Sequence, residues 1–353
     1  MQAIAINNRK IGPDEPPYVI AEMSGNHKGD IHRAMALLEA AKNAGADAVK
    51  LQTYTADTLT IDHDGPEFLI RGGLWDGRRL HELYREAHTP WEWHGPLFAR
   101  AQALGLTLFS SPFDPTAVDL LDALGAPAFK IASAEIVDLP LIRYAARLGR
   151  PLIISTGMAT LAEIEAALAT ATTAGAGGVV LLHCTSAYPT PPEEANLATI
   201  ADMARRFDAI VGLSDHTLDT TVATVAVGLG ACVIEKHFTL ARADGGVDSA
   251  FSLEPAELAR LVRDVRVARA AVGTPAYTPT ASEAGVLKHR RSLYIVGPVR
   301  AGAPLTHANV RSIRPANGLP PRHLDAVLGR RATRDLAFGE PLAWEMVEGG
   351  ETP

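Results

Sequence analysis

The chain has 353 residues, 47% of them hydrophobic, and a formal charge of −7 from 33 basic and 40 acidic residues. That length supports one large α/β core with a smaller unit beside it. The acidic balance excludes general nucleic-acid binding, which needs a basic surface, and leaves any anionic substrate dependent on local lysines.

From Tyr18 to about Gly273, apolar runs of strand length alternate with longer amphipathic stretches. YVIAEM opens the series, followed by the helical pattern IHRAMALLEAAKNAG and the run AVKLQT. The segment LIRGGLWDGRRLHELYREAHTPWEWH then exceeds a plain crossover. It predicts a loop with an added helix, RRLHELYREA, near the strand ends. LTLFSS, AFKIAS, LIISTG, VVLLHC, IVGLSD and CVIEKHF supply six more strands, with TAVDLLDALG, LAEIEAALATATTAG and TVATVAVGLG among the helices between them. Several of these stretches end in a glycine suited to a helix cap. Eight strands buried on both faces and alternating with helices predict a (β/α)8 TIM barrel over residues 1–272. An open doubly wound sheet is the alternative. After the last helix, AELARLVRDVRVARAAVG, the Pro- and Thr-rich TPAYTPTASEA reads as a linker over 273–285. Residues 286–353 hold short strands and many turns. They predict a small β-rich domain that is marginal alone and needs something to pack on.

No apolar run reaches the length of a membrane span, and MQAIAINNRK lacks the apolar core of a signal peptide, so a cytoplasmic location is expected. Cys184 and Cys232 lie in apolar strand runs and read as buried free thiols, in keeping with a reducing compartment.

Most strand runs end in a group suited to an anion or a metal, and a parallel barrel places its chemistry at that end. Lys50 and Gln52 share one face of their strand. A lysine pointing into a barrel is costly unless an anion or acid meets it. Lys50 and Lys130 are therefore candidates for phosphate binding, for a Schiff base, or for pairing with a core carboxylate. Ser111, Ser133, Ser155, Ser186 and Ser214 each follow a strand. One such serine is usually a helix cap or turn residue, so the recurrence carries the signal. Strict alternation puts Lys130 and Ser133 on opposite faces, so their strand must bend or end between them to serve one site.

His216 and His237 end adjacent strands. Two imidazoles are too few for a closed metal site but suit an open one completed by water and substrate. Hydrogen-bonded histidines at strand ends are the alternative. Glu235 shares a face with His237 and is either a partner behind a metal-bound histidine or a buried structural acid. Glu22, Glu135 and Asp248 are acids near strand ends, placed to move protons or hold sugar hydroxyls, or else to cap helices. Tyr188, before Pro189, lines a pocket or stiffens a turn. The Gly-rich loop ARADGGVDSAFSLEP suits a cover over substrate. MSGNHKGD lacks the spacing of a dinucleotide fingerprint.

AEMSGNH, KLQTYTADT, FSSPFD, FKIASAE, STGMATLAEIE, LLHCTSAYPTPPEEANL, GLSDHT and VIEKHFTL resemble, in order, the sialic acid synthase family. The likeness continues into RRSLY and IRPANGLPP. It implies enzymes that condense phosphoenolpyruvate with an N-acetylated amino sugar. It also implies a barrel followed by a C-terminal SAF (antifreeze-protein-like) domain in a domain-swapped homodimer. Within the family, AEMSGNH, LWDGRRLHELYREAHTPWEWH and ADGGVDSAFSLEP resemble the branch that makes pseudaminic acid from a diacetamido-trideoxy-L-altrose. The Ile-Gly pair and the Pro-Gly-Pro-Asp-His type of loop typical of N-acetylneuraminate synthases are missing. Synthesis of N-acetylneuraminate or legionaminate from another amino sugar is the alternative. Carried over by position, Lys50, Ser111, Lys130, Ser133, Ser155, Ser186 and Ser214 hold phosphoenolpyruvate. His216 and His237 bind Mn2+, Mg2+ or Co2+. Glu22, Gln52, Tyr188 and Asp248 hold the sugar, Glu135 sits at the reacting carbons, and Arg314 reaches the sugar from a partner subunit. Glu22, Glu135 and Asp248 are the catalytic candidates.

Overall fold

Eight parallel strands close on themselves in the computed structural model, which describes residues 3–350. A hairpin comes first, made of β1 (Ile4–Ile6) and β2 (Arg9–Ile11). The barrel strands are β3 (Tyr18–Glu22), β4 (Ala48–Thr53), β5 (Thr107–Pro112), β6 (Phe129–Ile131), β7 (Leu152–Ser155), β8 (Val179–Cys184), β9 (Ile210–Asp215) and β10 (Val233–His237). Each pairs with the next, and β10 pairs with β3 to complete the ring. This is the TIM barrel expected from the alternation, and the open-sheet alternative falls with the closure.

The strands are apolar on both faces because both faces are covered. Ile20, Ala48, Phe109, Ile153, Val180, Leu182 and Val233 fill the barrel, while Val19, Val49, Leu51, Leu181 and Ile234 pack under the helices. The helix Ile31–Ala44 shows how local sequence sets these units. Asp30 accepts from the His32 backbone N–H at its start, and Gly45 ends it at φ 86°, a conformation that favours glycine. The hairpin was not anticipated: Ile6 and Ile11 are fully buried and join Tyr18 and Ile20 in the interior cluster at the start of the strands.

Two further departures bear on the site. β6 is only three residues long, so Ser133 follows it as the residue before a short 3-10 turn, Ala134–Val137. The strand ends between Lys130 and Ser133, and alternation no longer separates them. The insert after β4 carries the short helices Ala56–Leu59 and Leu80–Ala87. Its last residues, WEWH, instead open the crossover helix Trp91–Ala103.

The chain divides into two units, Met1–Gly273 and Thr274–Pro353. The segment expected as a linker is not wholly irregular, since Ala281–His289 winds as an exposed 3-10 helix. In the second unit β11 (Ser292–Ile295) pairs antiparallel with β12 (Val310–Ile313). Single bridges such as Val299–Leu336 and Ala332–Val347 surround them. Leu293, Ile295, Leu305, Val310 and Leu342 form its small core. Among the described residues no helix is long and apolar enough to cross a membrane.

Candidate active site

Above the apolar layer of Phe109, Ile153 and Leu182, the inward positions of the barrel become charged. Glu22, Lys50, Lys130 and Glu235 are all buried there. Lys50 Nζ lies 3.0 Å from Glu22 Oε2 and 3.0 Å from Glu235 Oε1. Lys130 Nζ lies 3.8 Å from that same Glu235 oxygen, which also accepts a 2.9 Å hydrogen bond from Ser214 Oγ. Gln52 Nε2 donates to Glu22 Oε1 at 3.3 Å. The two lysines thus converge on one carboxylate. Glu235 is a partner of lysines and of Ser214, not a hydrogen-bond partner of either histidine.

Burial sets the charge states against one another. It drives the Glu22 carboxyl up, and Lys50 offsets this only in part. Burial also opposes ionisation of Glu235, but Lys130 and Lys50 outweigh it and hold that carboxyl below the usual range. Lys50 is penalised by burial yet held above the ordinary lysine value by Glu22 and Glu235. Lys130, with only the longer contact, is pushed down by burial to about 8.

Of the candidate serines, Ser214 contacts this cluster through Glu235, and Ser111 is the register partner of Gln52. Ser111 Oγ and Ser155 Oγ are buried without a hydrogen-bond partner. Such hydroxyls need an acceptor or donor from outside the protein. Ser133 Oγ accepts from the Gly157 backbone N–H at 3.2 Å. A Cβ at Gly157 would lie 2.2 Å from Ser186 Oγ and 2.7 Å from Ser133 Oγ, so only glycine lets this turn after β7 approach both hydroxyls.

His216 and His237 face each other with ring centroids 5.4 Å apart. His216 Nδ1 bonds the Thr185 carbonyl at 2.9 Å, which leaves Nε2 as its free lone pair. The Cys184 thiol beside it raises the imidazole against the lowering effect of burial. Burial, reinforced by His216, pushes His237 well below its ordinary value, so it is neutral. Its Nδ1 is buried without a partner. Two facing imidazoles, one of them neutral with an unsatisfied nitrogen, fit a divalent ion with bonds of about 2.1 Å. Among the described residues no cluster of three His, Cys, Asp or Glu side chains could hold a metal ion. The pair therefore fits only an open site, completed by water or substrate.

A cavity of about 430 Å³ opens beside His237 and Gln52. Gln52, Ser133, Glu135, Ser186, His237 and Asp248 line its polar part. Burial raises the Glu135 and Asp248 carboxyls, and Ser24 Oγ donates to Asp248 Oδ2. The remaining wall is apolar and comes mainly from the insert after β4: Leu59, Ile70, Trp75, Leu80, Leu83 and Tyr84. Trp75 Nε1 donates to the Val247 carbonyl at 2.9 Å, which ties the insert to the Gly-rich loop. The Tyr188 ring packs at a tilt against His216, with centroids 4.3 Å apart, and against Phe251 at 5.1 Å. Phe251 is fully buried and packs the loop down. Arg314 belongs to the second unit, exposed just beyond β12. The structure gathers Glu22, Lys50, Gln52, Lys130 and Ser214 around Glu235 and sets Ser133, Glu135, Ser186, Tyr188, Asp248 and His237, with His216 beside it, at the cavity, whereas Ser111 Oγ and Ser155 Oγ make no hydrogen bond to either group. Gly157, Ser24, Trp75 and Cys184 join them unannounced, and only Gly157 had a visible signal, the strand-end motif STG.

The NeuB family profile matches residues 37–277, and the SAF domain profile matches residues 290–348. A pseudaminic acid synthase of Campylobacter jejuni is 42% identical over 332 residues, covering 93% of this chain and 96% of that protein. An N,N'-diacetyllegionaminic acid synthase of Legionella pneumophila is 36% identical over 353 residues, covering 97% and 99%. The crystal structure of an N-acetylneuraminic acid synthetase from Leptospira borgpetersenii, in complex with citrate, superposes with a TM-score of 0.73 at 32% identity, covering 82% of this chain and 96% of that one. A profile match over most of the chain, joined to relatives alike along nearly their whole length, settles the family: the chain belongs to the NeuB (sialic acid synthase) family and is a synthase built as a barrel followed by an SAF domain.

Proposed function

We propose that the chain condenses phosphoenolpyruvate with a diacetamido-trideoxy-L-altrose and water to give pseudaminic acid and phosphate. One observation carries the phosphoenolpyruvate half: two buried lysines, Lys50 and Lys130, converge on the single carboxylate of Glu235 inside a barrel whose strand-end hydroxyls Ser111 Oγ and Ser155 Oγ lack partners. Fixed lysines and hydroxyls replace the hydration that a phosphate and a carboxylate lose on entry. The apolar wall from the insert supports an acceptor rich in methyl and acetamido groups, and the Campylobacter relative supports the specific sugar. Similarity to the Legionella enzyme makes a legionaminate-type acceptor the second reading.

The methylene carbon of phosphoenolpyruvate forms the new bond to the aldehyde carbon of the open-chain sugar, whose oxygen takes up a proton. The enol carbon becomes an oxocarbenium centre. Glu135, whose Oε2 is buried and unpartnered at the cavity, is placed to stabilise that positive charge. Water adds to this carbon and gives up a proton, and the carbon–oxygen bond breaks so that phosphate leaves with the bridging oxygen. A divalent ion (Mn2+, Mg2+ or Co2+) at His216 and His237 would supply Lewis-acid polarisation of the aldehyde. Glu22, Gln52, Tyr188 and Asp248 orient the sugar. Arg314 completes that site from the partner of a domain-swapped homodimer, working in the cytoplasm.

The test is mass spectrometry of products from purified protein, phosphoenolpyruvate labelled at the bridging oxygen, metal, and a panel of amino sugars. Labelled phosphate and a nine-carbon keto acid from the trideoxy-altrose are expected. Unlabelled phosphate would overturn the cleavage mode. Preference for another sugar would overturn the acceptor, and trapping of a lysine adduct by borohydride would favour a Schiff-base lyase.

A further inference from the structure

On the outer face of the barrel, directly behind the two histidines, lies a buried ion pair. Lys236 Nζ is 2.7 Å from Asp215 Oδ2, and both side chains are at most 1% exposed. The two residues are register partners on β9 and β10. Strand alternation turns Ser214 inward and Asp215 outward, and likewise Glu235 and His237 inward and Lys236 outward, while His216 follows directly on the end of β9 and faces His237 with ring centroids 5.4 Å apart. The earlier outward positions of these strands, Val211, Leu213 and Ile234, are apolar and belong to the core cluster under the helices. Charge enters that layer only at the step that carries the histidines.

A structural need alone does not explain this. A buried ion pair is commonly replaced by packed apolar residues at no loss of stability. What the charged pair adds is direction. Asp215 Oδ1 accepts from the Thr217 backbone N–H at 2.9 Å, and Lys236 Nζ donates to the Thr217 carbonyl at 2.6 Å. Both polar groups of the residue after His216 are held from behind. The lysine that holds the carbonyl is itself the residue before His237.

We infer that the Asp215–Lys236 pair is a positioning device that sets the separation of His216 and His237 for one shared divalent ion. The inference rests on reading those histidines as ion ligands. Side chains that orient ligands from behind change metal affinity by about 10–100-fold when removed.

The experiment uses the full chain and MnCl2 alone, with bound ion read by electron paramagnetic resonance. The double variant Asp215→Leu/Lys236→Met removes both charges and leaves neither unpaired. It is expected to fold, melting below the wild-type temperature because the buried Thr217 N–H and carbonyl lose their partners, and to bind Mn2+ about 10–100-fold more weakly, with an altered spectrum. Wild-type affinity and spectrum in the folded double variant would overturn the inference. Should that variant not fold, Asp215→Asn decides. It keeps the acceptor for Thr217 but turns an amide donor toward the ammonium, so weaker Mn2+ binding is again expected and unchanged binding overturns the inference. Absence of Mn2+ binding by the wild-type protein is a separate outcome, which overturns the reading of the histidines themselves.

Discussion

Replacing Lys130 with methionine is predicted to stabilise the free protein while weakening its hold on phosphoenolpyruvate. Lys130 is 1% exposed, and its carboxylate contact is the 3.8 Å approach of Nζ to Glu235. It also donates to the Ile131 carbonyl at 3.2 Å. Burial lowers it from 10.5 to about 8, with Glu235 opposing and Lys50 reinforcing the shift, and Cys184 and Glu22 as lesser neighbours. A drop of that size corresponds to roughly 3 kcal/mol for keeping the charge at neutral pH. The sign follows from proton counts. Between about 8 and 10.5 the unfolded chain holds more protons at this site than the folded one, so stability rises with pH there. Below about 8 the full cost applies. Methionine keeps most of the stem's volume. Glu235 loses one counter-charge but retains Lys50 at 3.0 Å and Ser214 at 2.9 Å. The net gain at pH 7 should be about 1–3 kcal/mol, shrinking by pH 9.5. Urea unfolding at the two pH values reads this directly. Calorimetry with phosphoenolpyruvate should show about 10–100-fold weaker binding, the loss of one or two charge-assisted hydrogen bonds. A methionine variant less stable than wild type at pH 7 would show that the buried charge is not a net cost, and one that binds phosphoenolpyruvate as well would show that Lys130 does not hold it.

Lys50→Met should act with the opposite sign. It strands the Glu22 and Glu235 carboxylates that Lys50 bridges, and a fall of about 3–5 kcal/mol in unfolding free energy is expected by urea titration. His237→Ala should keep the fold, by circular dichroism, and lose metal-dependent turnover; undiminished activity in metal-depleted buffer would contradict it. A chain truncated before Lys288 should retain the barrel's spectrum but lose activity, because Arg314 is gone. A fully active barrel alone would remove that arginine from the reaction.

The barrel was legible because burial on both faces makes parallel strands read as unbroken apolar runs, and because helices of regular length separate them. The inward set was legible for a related reason. Lys50 and Gln52, or Ser214 and His216, differ by two residues, and a strand turns such pairs to one side. What alternation cannot supply is the neighbour across the sheet. Glu235 meets Ser214 through the β9–β10 register, and meets Lys50 only because closure sets β10 beside β3 and β3 beside β4. Its role therefore stayed divided between histidine partner and structural acid until the ring was closed. The length of β6 was hidden because AFKIAS has strand character to its end, and Ser133 leaves the strand only by the turn that follows. The hairpin β1–β2 was hidden because two three-residue strands joined by a tight turn carry too little periodicity to register.

The charged layer also bears on which anions the barrel accepts. Two lysines in a dry interior are tolerated because two acids stand among them, and a carboxylate at 3.0 Å from an ammonium is worth about 5 kcal/mol at an effective dielectric of 20. An entering anion competes with carboxylates already in place. A ligand with a single carboxylate offers no more than Glu235 does and brings its own desolvation cost. A ligand carrying both a phosphate and a carboxylate offers two anionic groups. It would also offer acceptors to the hydroxyls of Ser111 and Ser155, which Glu22 and Glu235 leave without partners. The acids thus act as a threshold. They keep the empty barrel near neutrality, and the expected outcome is tighter binding of phosphoenolpyruvate than of pyruvate in calorimetry; equal affinity for the two would contradict a threshold set by the acids.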